Sequence, residues 1–181
     1  MDNASVCEVN QGFVTEVIAL IQQAKSRVAT TVNAELTLLY WHVGERIHNA
    51  ILQGERADYG KQVIANLSES LTMQFGKGWS KNHLNYCVKF YQQFCDINIV
   101  HALREKLSWT HFKLLAYIED PIKRDFYATL ASQERWSTRT LDERIGSLLF
   151  ERTALSKKPD EMIVAELAQL RETGIISRFC C

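Results

Sequence analysis

The sequence predicts an all-α protein, and three observations carry that expectation. Only 2 Pro and 8 Gly occur in 181 residues, which leaves little material for the many turns of a β protein. Apolar residues recur at steps of three and four over most of the chain, which places them on one helix face. Ser or Asp stands just before several of these runs, where its side-chain oxygen can accept a free amide hydrogen of the first turn.

The first element is the longest. Phe13, Val17, Leu20/Ile21, Ala24, Val28, Val32, Leu36, Leu39/Tyr40, Val43, Ile47 and Ile51 form one stripe, longer than an ordinary globular helix and suited to an oligomer contact. Thr30-Thr31-Val32-Asn33 is poor helix material, so a long N-terminal helix or a helix pair fits equally. Gln53-Gly54 closes the region, glycine being favoured just past a helix end.

A helix over 59–75 follows, with Val63, Ile64, Leu67 and Leu71 on one face. Gly76-Lys77-Gly78 is a turn, and Ser80 caps the next helix, which runs to Phe94. Leu84, Cys87, Val88, Tyr91 and Phe94 make its inward stripe, with Cys87 as a small hydrophobe; Asn82, Asn85, Lys89 and Gln92 fall opposite. Residues 96–102 read as a connector. Ser108 then caps a helix to Tyr117, and Asp120-Pro121 starts another with proline where no amide hydrogen is missed. Arg135-Trp136-Ser137-Thr138-Arg139-Thr140-Leu141 repeats the pattern of Gly78-Trp79-Ser80-Lys81-Asn82-His83-Leu84, a Trp ahead of a Ser cap that can fold back as a staple. Lys157-Lys158-Pro159 reads as a linker before a last helix over 160–172. The four tryptophans, beside apolar residues or caps, are expected in the core.

A composition of 46% hydrophobic and 23% charged residues is that of an ordinary globular chain. No apolar run approaches the roughly 20 residues of a membrane span, and the N-terminus lacks the regions of a signal peptide. The five cysteines follow neither a zinc spacing nor a dense disulfide framework. A cytoplasmic protein without a membrane contact is therefore expected.

Formal charge is zero but unevenly spread. Residues 1–60 hold 4 Lys/Arg against 7 Asp/Glu (−3), residues 61–113 hold 7 against 3 (+4), and residues 114–181 hold 10 against 11 (−1). The positive excess lies around the Ser80 helix, as a phosphate-binding footprint would. Two helices joined by a Gly turn, the second presenting amides and ammonium groups, is also how a DNA-reading helix is displayed. Asn pairs with adenine and Lys bonds guanine or phosphate. The candidate DNA-binding residues are Lys77, Lys81, Asn82, Asn85 and Lys89, with Arg135 and Arg139 on a second helix start. An ordinary solvated face is the competing reading for the first group. Local ion pairs with Asp142 and Glu143 are the competing reading for the second.

No catalytic, cofactor or metal residues are assigned. His42 and His48, six apart, sit roughly 120° apart around a helix and share no face. Glu119-Asp120-Pro121-Ile122-Lys123 gathers two acids and a lysine, but at a helix start where acids simply suit the dipole. Neither a nucleophile elbow nor a phosphate-binding glycine loop occurs.

Leu39-Tyr40-Trp41-His42-Val43-Gly44-Glu45-Arg46-Ile47, Tyr59-Gly60-Lys61-Gln62-Val63-Ile64, Trp79-Ser80-Lys81-Asn82-His83-Leu84 and Lys89-Phe90-Tyr91 resemble the N-terminal domain of the YhcG-type PD-(D/E)xK nuclease family. Leu107-Ser108-Trp109-Thr110-His111, Asp125-Phe126-Tyr127 and Trp136-Ser137-Thr138-Arg139-Thr140-Leu141 extend the resemblance, which runs from about residue 10 to residue 172. It implies a helical DNA-binding domain that, in family members, leads into a C-terminal nuclease domain. The sequence here ends at Cys181, so a truncated chain without that domain, and therefore not an enzyme, is expected. The expected organisation is a helical DNA-binding domain over 1–156 and, over 157–181, a linker and helix leading to the absent nuclease domain. Double-stranded DNA is the expected partner, with a homodimer through the N-terminal helical region addressing paired half-sites. The alternative is a helical interaction module that docks a nuclease or methyltransferase subunit of a restriction-modification system.

Overall fold

A computed structural model describes residues 11–52 and 57–154. All the regular structure among them is helical: α1 (Gln11–Leu52), α2 (Ala57–Phe75), a 3₁₀ turn (Lys77–Trp79), α3 (Lys81–Gln93), α4 (Ile97–Leu103), α5 (Trp109–Leu115), α6 (Pro121–Gln133), α7 (Thr138–Gly146) and α8 (Leu149–Ala154). The chain is all-α, as the apolar spacing predicts. Gln53-Gly54, the 157–159 linker, the 160–172 helix and the 156/157 boundary lie outside the described residues. None of the described helices is long and apolar enough to cross a membrane.

The N-terminal region is one helix, not a pair. The polar run at its middle is absorbed in two ways. Thr30 and Thr31 turn their hydroxyls back onto the carbonyls of Ser26 and Arg27, at 3.1 and 3.0 Å. Asn33 instead reaches outward: its Nδ2 donates to the Leu107 carbonyl at 3.3 Å, and its Oδ1 accepts from the Trp109 amide at 3.2 Å. A side chain that looks like a helix breaker is the clamp holding the start of α5.

The long apolar stripe divides at this point. From Ala34 onward α1 lies on the body of the protein, burying Ala34, Thr37, Trp41 and Ile47. Before it, Phe13, Val17, Ile18, Leu20, Ile21, Val28 and Val32 are exposed.

The buried half of α1 packs most extensively against α3, more than α2 does. Gly44 sets the distance. A Cβ there would stand 2.0 Å from the Cys87 carbonyl oxygen, so only hydrogen lets the two backbones come this close. Trp41 closes the same contact by donating its indole N–H to the Phe94 carbonyl at 2.6 Å. The α2–turn–α3 unit therefore exists, but α1 is the main support of its second helix.

The core falls into two parts. The larger gathers Trp41, Phe90, Phe94, Phe112, Tyr127 and Leu141 with their neighbours; the smaller gathers Ile47, Ile64 and Leu84, with Leu67, Leu71 and Trp79 against them. Trp109 and Trp136 also pack on the larger cluster, so all four tryptophans serve the core. Phe90, absent from the expected stripe of α3, is fully buried, whereas Val88 and Tyr91 are half-buried.

One correction concerns residues 96–102. They are not a connector: Asp96 caps α4, its Oδ1 accepting from the Asn98 amide at 2.9 Å. Ile99, Val100 and Leu103 are buried. The β-branched run hides the helix from propensity, and burial of its apolar face overrides that weakness.

Candidate nucleic-acid interface

The site is built on α3, whose start is fixed from several sides. Ser80 Oγ accepts from the His83 amide at 3.3 Å, and Ser68 of α2 donates to the Trp79 carbonyl at 2.9 Å. Gly76, at φ 89°, makes the left-handed turn that precedes the 3₁₀ segment, a conformation glycine takes without strain. His83 is ringed by Tyr40, Trp79 and Trp109, with centroids 4.5, 5.6 and 5.8 Å away. Burial, and then the nearby Lys113 charge, holds its pKa below 6.5.

Leu84, Cys87 and Phe90 point into the core, and burial pushes the Cys87 thiol up to about 12, an inert neutral group. At 100° per residue the opposite side of α3 is then fixed. There Lys81, Asn82, Asn85 and Gln92 are exposed and Lys89 is half-exposed. Lys77, on the 3₁₀ turn just before the helix, is exposed as well. The expected polar face is thus assembled at the surface.

Beside it lies a feature the sequence does not announce. Lys89 of α3 sits 4.9 Å from the ring centroid of Tyr117, just past α5, and Lys113 of α5 sits 5.6 Å from that of Tyr86 on α3. The two tyrosines meet edge to face at 5.7 Å. Ammonium groups over aromatic faces are oriented by the ring quadrupole while keeping their charge and much of their hydration. Tyr117 is 57% exposed, and its phenol is held above its ordinary pKa, by desolvation first and Tyr86 second. Two tyrosine rings and two lysines border the Asn/Lys face. Tyr86 with Lys89 and Lys113 with Tyr117 stand at helix-neighbour spacings, but nothing in one dimension says that α5 lies against α3.

Arg135 and Arg139 are placed differently. Arg135 sits exposed in the turn before α7 with φ 51°, and Arg139 pairs with Glu143 one turn on at 2.9 Å. None of the hydrogen bonds or ion pairs among the described residues joins either of them to α3. Arg144 lies over the Trp136 ring at 5.8 Å, which secures the staple at this helix start.

One arrangement has the letters of a nucleophile and its base. Ser108 Oγ lies 2.7 Å from His111 Nδ1. The ring, however, is committed: Nε2 faces the Trp136 carbonyl at 2.9 Å and so must donate, leaving Nδ1 to accept from the Ser108 amide at 3.1 Å. This is a capping box with histidine in the usual Glu/Gln place. Among the described residues no cluster of three or more His, Cys, Asp or Glu could hold a metal. His42 and His48 go separate ways, toward Glu45 at 3.5 Å and Gln92 at 3.3 Å.

Residues 16–152, from early α1 into α8, match the DUF1016 N-terminal domain. The chain belongs to that family. Every candidate residue from Lys77 to Arg139 lies inside the matched span of the DUF1016 N-terminal domain. The chain is also similar to the Escherichia coli (strain K12) protein named Putative nuclease YhcG, with 27% identity over 178 residues. That alignment covers 81% of this chain and 47% of the relative, so the chain spans about half the length of the curated protein it matches. No solved structure matches.

Proposed function

We propose that this DUF1016 N-terminal domain is a DNA-binding module that performs no catalysis itself and that presents α3 to a groove of duplex DNA. The observation that carries the reading is the exposed Lys81, Asn82, Asn85 face bordered by Lys89 on Tyr117 and Lys113 on Tyr86. Asn82 and Asn85 supply the donor and acceptor pair that suits adenine, a contact worth about 1–3 kcal/mol against a wrong base. Lys77, Lys81, Lys89 and Lys113 supply positive charge for phosphates, whose released counterions give most of the affinity. A nuclease-named relative that extends well beyond the matched region agrees with a division of labour between binding and cleavage.

The test is fluorescence anisotropy of labelled duplex with wild type and Lys81→Ala/Asn85→Ala/Lys89→Ala. The expected result is binding by wild type at low salt and a loss of at least about 30-fold in the variant, two phosphate contacts and one base contact being removed. Equal affinity of the two would remove α3 from the interface. No binding by folded wild type would reject the reading.

A second reading has its own observation. Met73 and Phe75, at the end of α2, are 77% and 64% exposed, and apolar groups at such a tip suit a protein partner. A module that docks a nuclease or methyltransferase subunit would lose that partner on Met73→Ser/Phe75→Ser while keeping any affinity for DNA.

A further inference from the structure

Residues 11–32 of α1 are exposed around nearly the whole helix, only Val14 being half-covered. Phe13, Leu20 and Val28 are 60, 65 and 63% exposed, with Val17 and Ile21 between them. Twenty-two residues of helix with almost no tertiary cover are marginal in water. An apolar stripe of this length on the surface marks an interface.

We propose that this stripe pairs with a second copy of itself, antiparallel, about a two-fold axis between Leu20 and Ile21. In that register Phe13 lies level with Val28 of the other copy, Val17 with Ala24, and Leu20 with Ile21. Phe13, Val17, Leu20, Ile21, Ala24 and Val28 thus each meet another apolar residue of the same stripe, which is what an isologous contact requires.

The charges choose both the partner and the direction. Glu16 and Arg27 are eleven residues apart, three turns and roughly 20°, so they stand on the same edge of the stripe. Both are exposed, and neither takes part in an ion pair among the described residues. Antiparallel pairing lays that edge against the same edge of the second copy, reversed. Glu16 then comes within one turn of Arg27 of the other copy, twice by symmetry. Lys25 stands on the opposite edge. Parallel pairing would set it against Arg27 of the other copy and leave Glu16 without a cation. Antiparallel helices also align their dipoles favourably. Burial of α1 against the rest of the protein begins at Ala34, outside the paired segment.

The experiment is sedimentation equilibrium on the full chain, with far-ultraviolet circular dichroism to confirm folding. Wild type is expected at twice the chain mass at tens of micromolar, and Leu20→Asp/Ile21→Asp at the chain mass. These positions lie outside the packed core, so α2 to α8 should fold in both. Glu16→Arg and Arg27→Glu should each weaken the dimer by roughly tenfold, two exposed pairs turning repulsive. The double exchange Glu16→Arg/Arg27→Glu should restore it. A monomeric wild type, a dimer that survives Leu20→Asp/Ile21→Asp, or a double exchange no better than the single variants would each overturn the proposal.

Discussion

Gly44 shows how much rests on a single hydrogen atom. A methyl group there would meet the Cys87 carbonyl oxygen at 2.0 Å and its carbon at 2.6 Å, both backbone atoms that cannot rotate away. Gly44→Ala should therefore separate α1 from α3 and cost about 1–3 kcal/mol or more. It would be read as a lower urea midpoint at unchanged slope. His111 makes a prediction of another kind. His83 and His111 both have pKa values held below 6.5, by burial first in each case. Their unfolded forms take up protons in a range where the folded ones stay neutral. The stability from this difference is complete above about pH 6.5 and is lost as pH falls through that value and the lower folded pKa values. His111→Gln keeps an acceptor for the Ser108 amide and removes the titration. It should stay within about 1 kcal/mol of wild type at pH 8 and decline less steeply toward pH 5. Equal decline in both proteins would show that His111 does not contribute to it.

Among the elements, legibility followed the kind of signal. Ser80, Ser108, Asp120 and Ser137 are all caps in the structure, because a cap is a local contract between one side chain and the next three amides. The 42-residue α1 was legible as a stripe, yet its periodicity gave no notice that one half covers the core and the other does not. A stripe records that an apolar face exists, not which surface meets it. α4 is not legible in the sequence because its support is tertiary, and Asn33 reads as a helix breaker because its partners are 74 and 76 residues away. Asn33→Ala should leave α1 intact while freeing the start of α5, at a cost of about 1–3 kcal/mol for an unpaired amide and carbonyl. Hydrogen exchange should locate that loss at Leu107–Trp109; protection unchanged there would contradict the clamp. The exposed side of α3 could be read in advance from 3.6-residue geometry, but its Tyr86, Lys113 and Tyr117 border could not, since α5 reaches α3 only through the fold.

For the molecule as a whole, zero net charge conceals a +4 stretch over 61–113 between acidic flanks, and folding places Lys81, Lys89 and Lys113 of that stretch on the adjoining helices α3 and α5. A module of this kind should bind duplex through a few phosphates and a few base edges, with weak affinity at high salt. The most direct measurement is the slope of log affinity against log salt for wild type and for Lys89→Gln/Lys113→Gln, with the same labelled duplex. With about four lysines on phosphates the slope should be roughly −3.6, at about −0.9 per contact, and removing two should bring it near −1.8. A slope that does not change between the two proteins, or duplex binding that does not respond to salt, would contradict a DNA surface on α3 and α5.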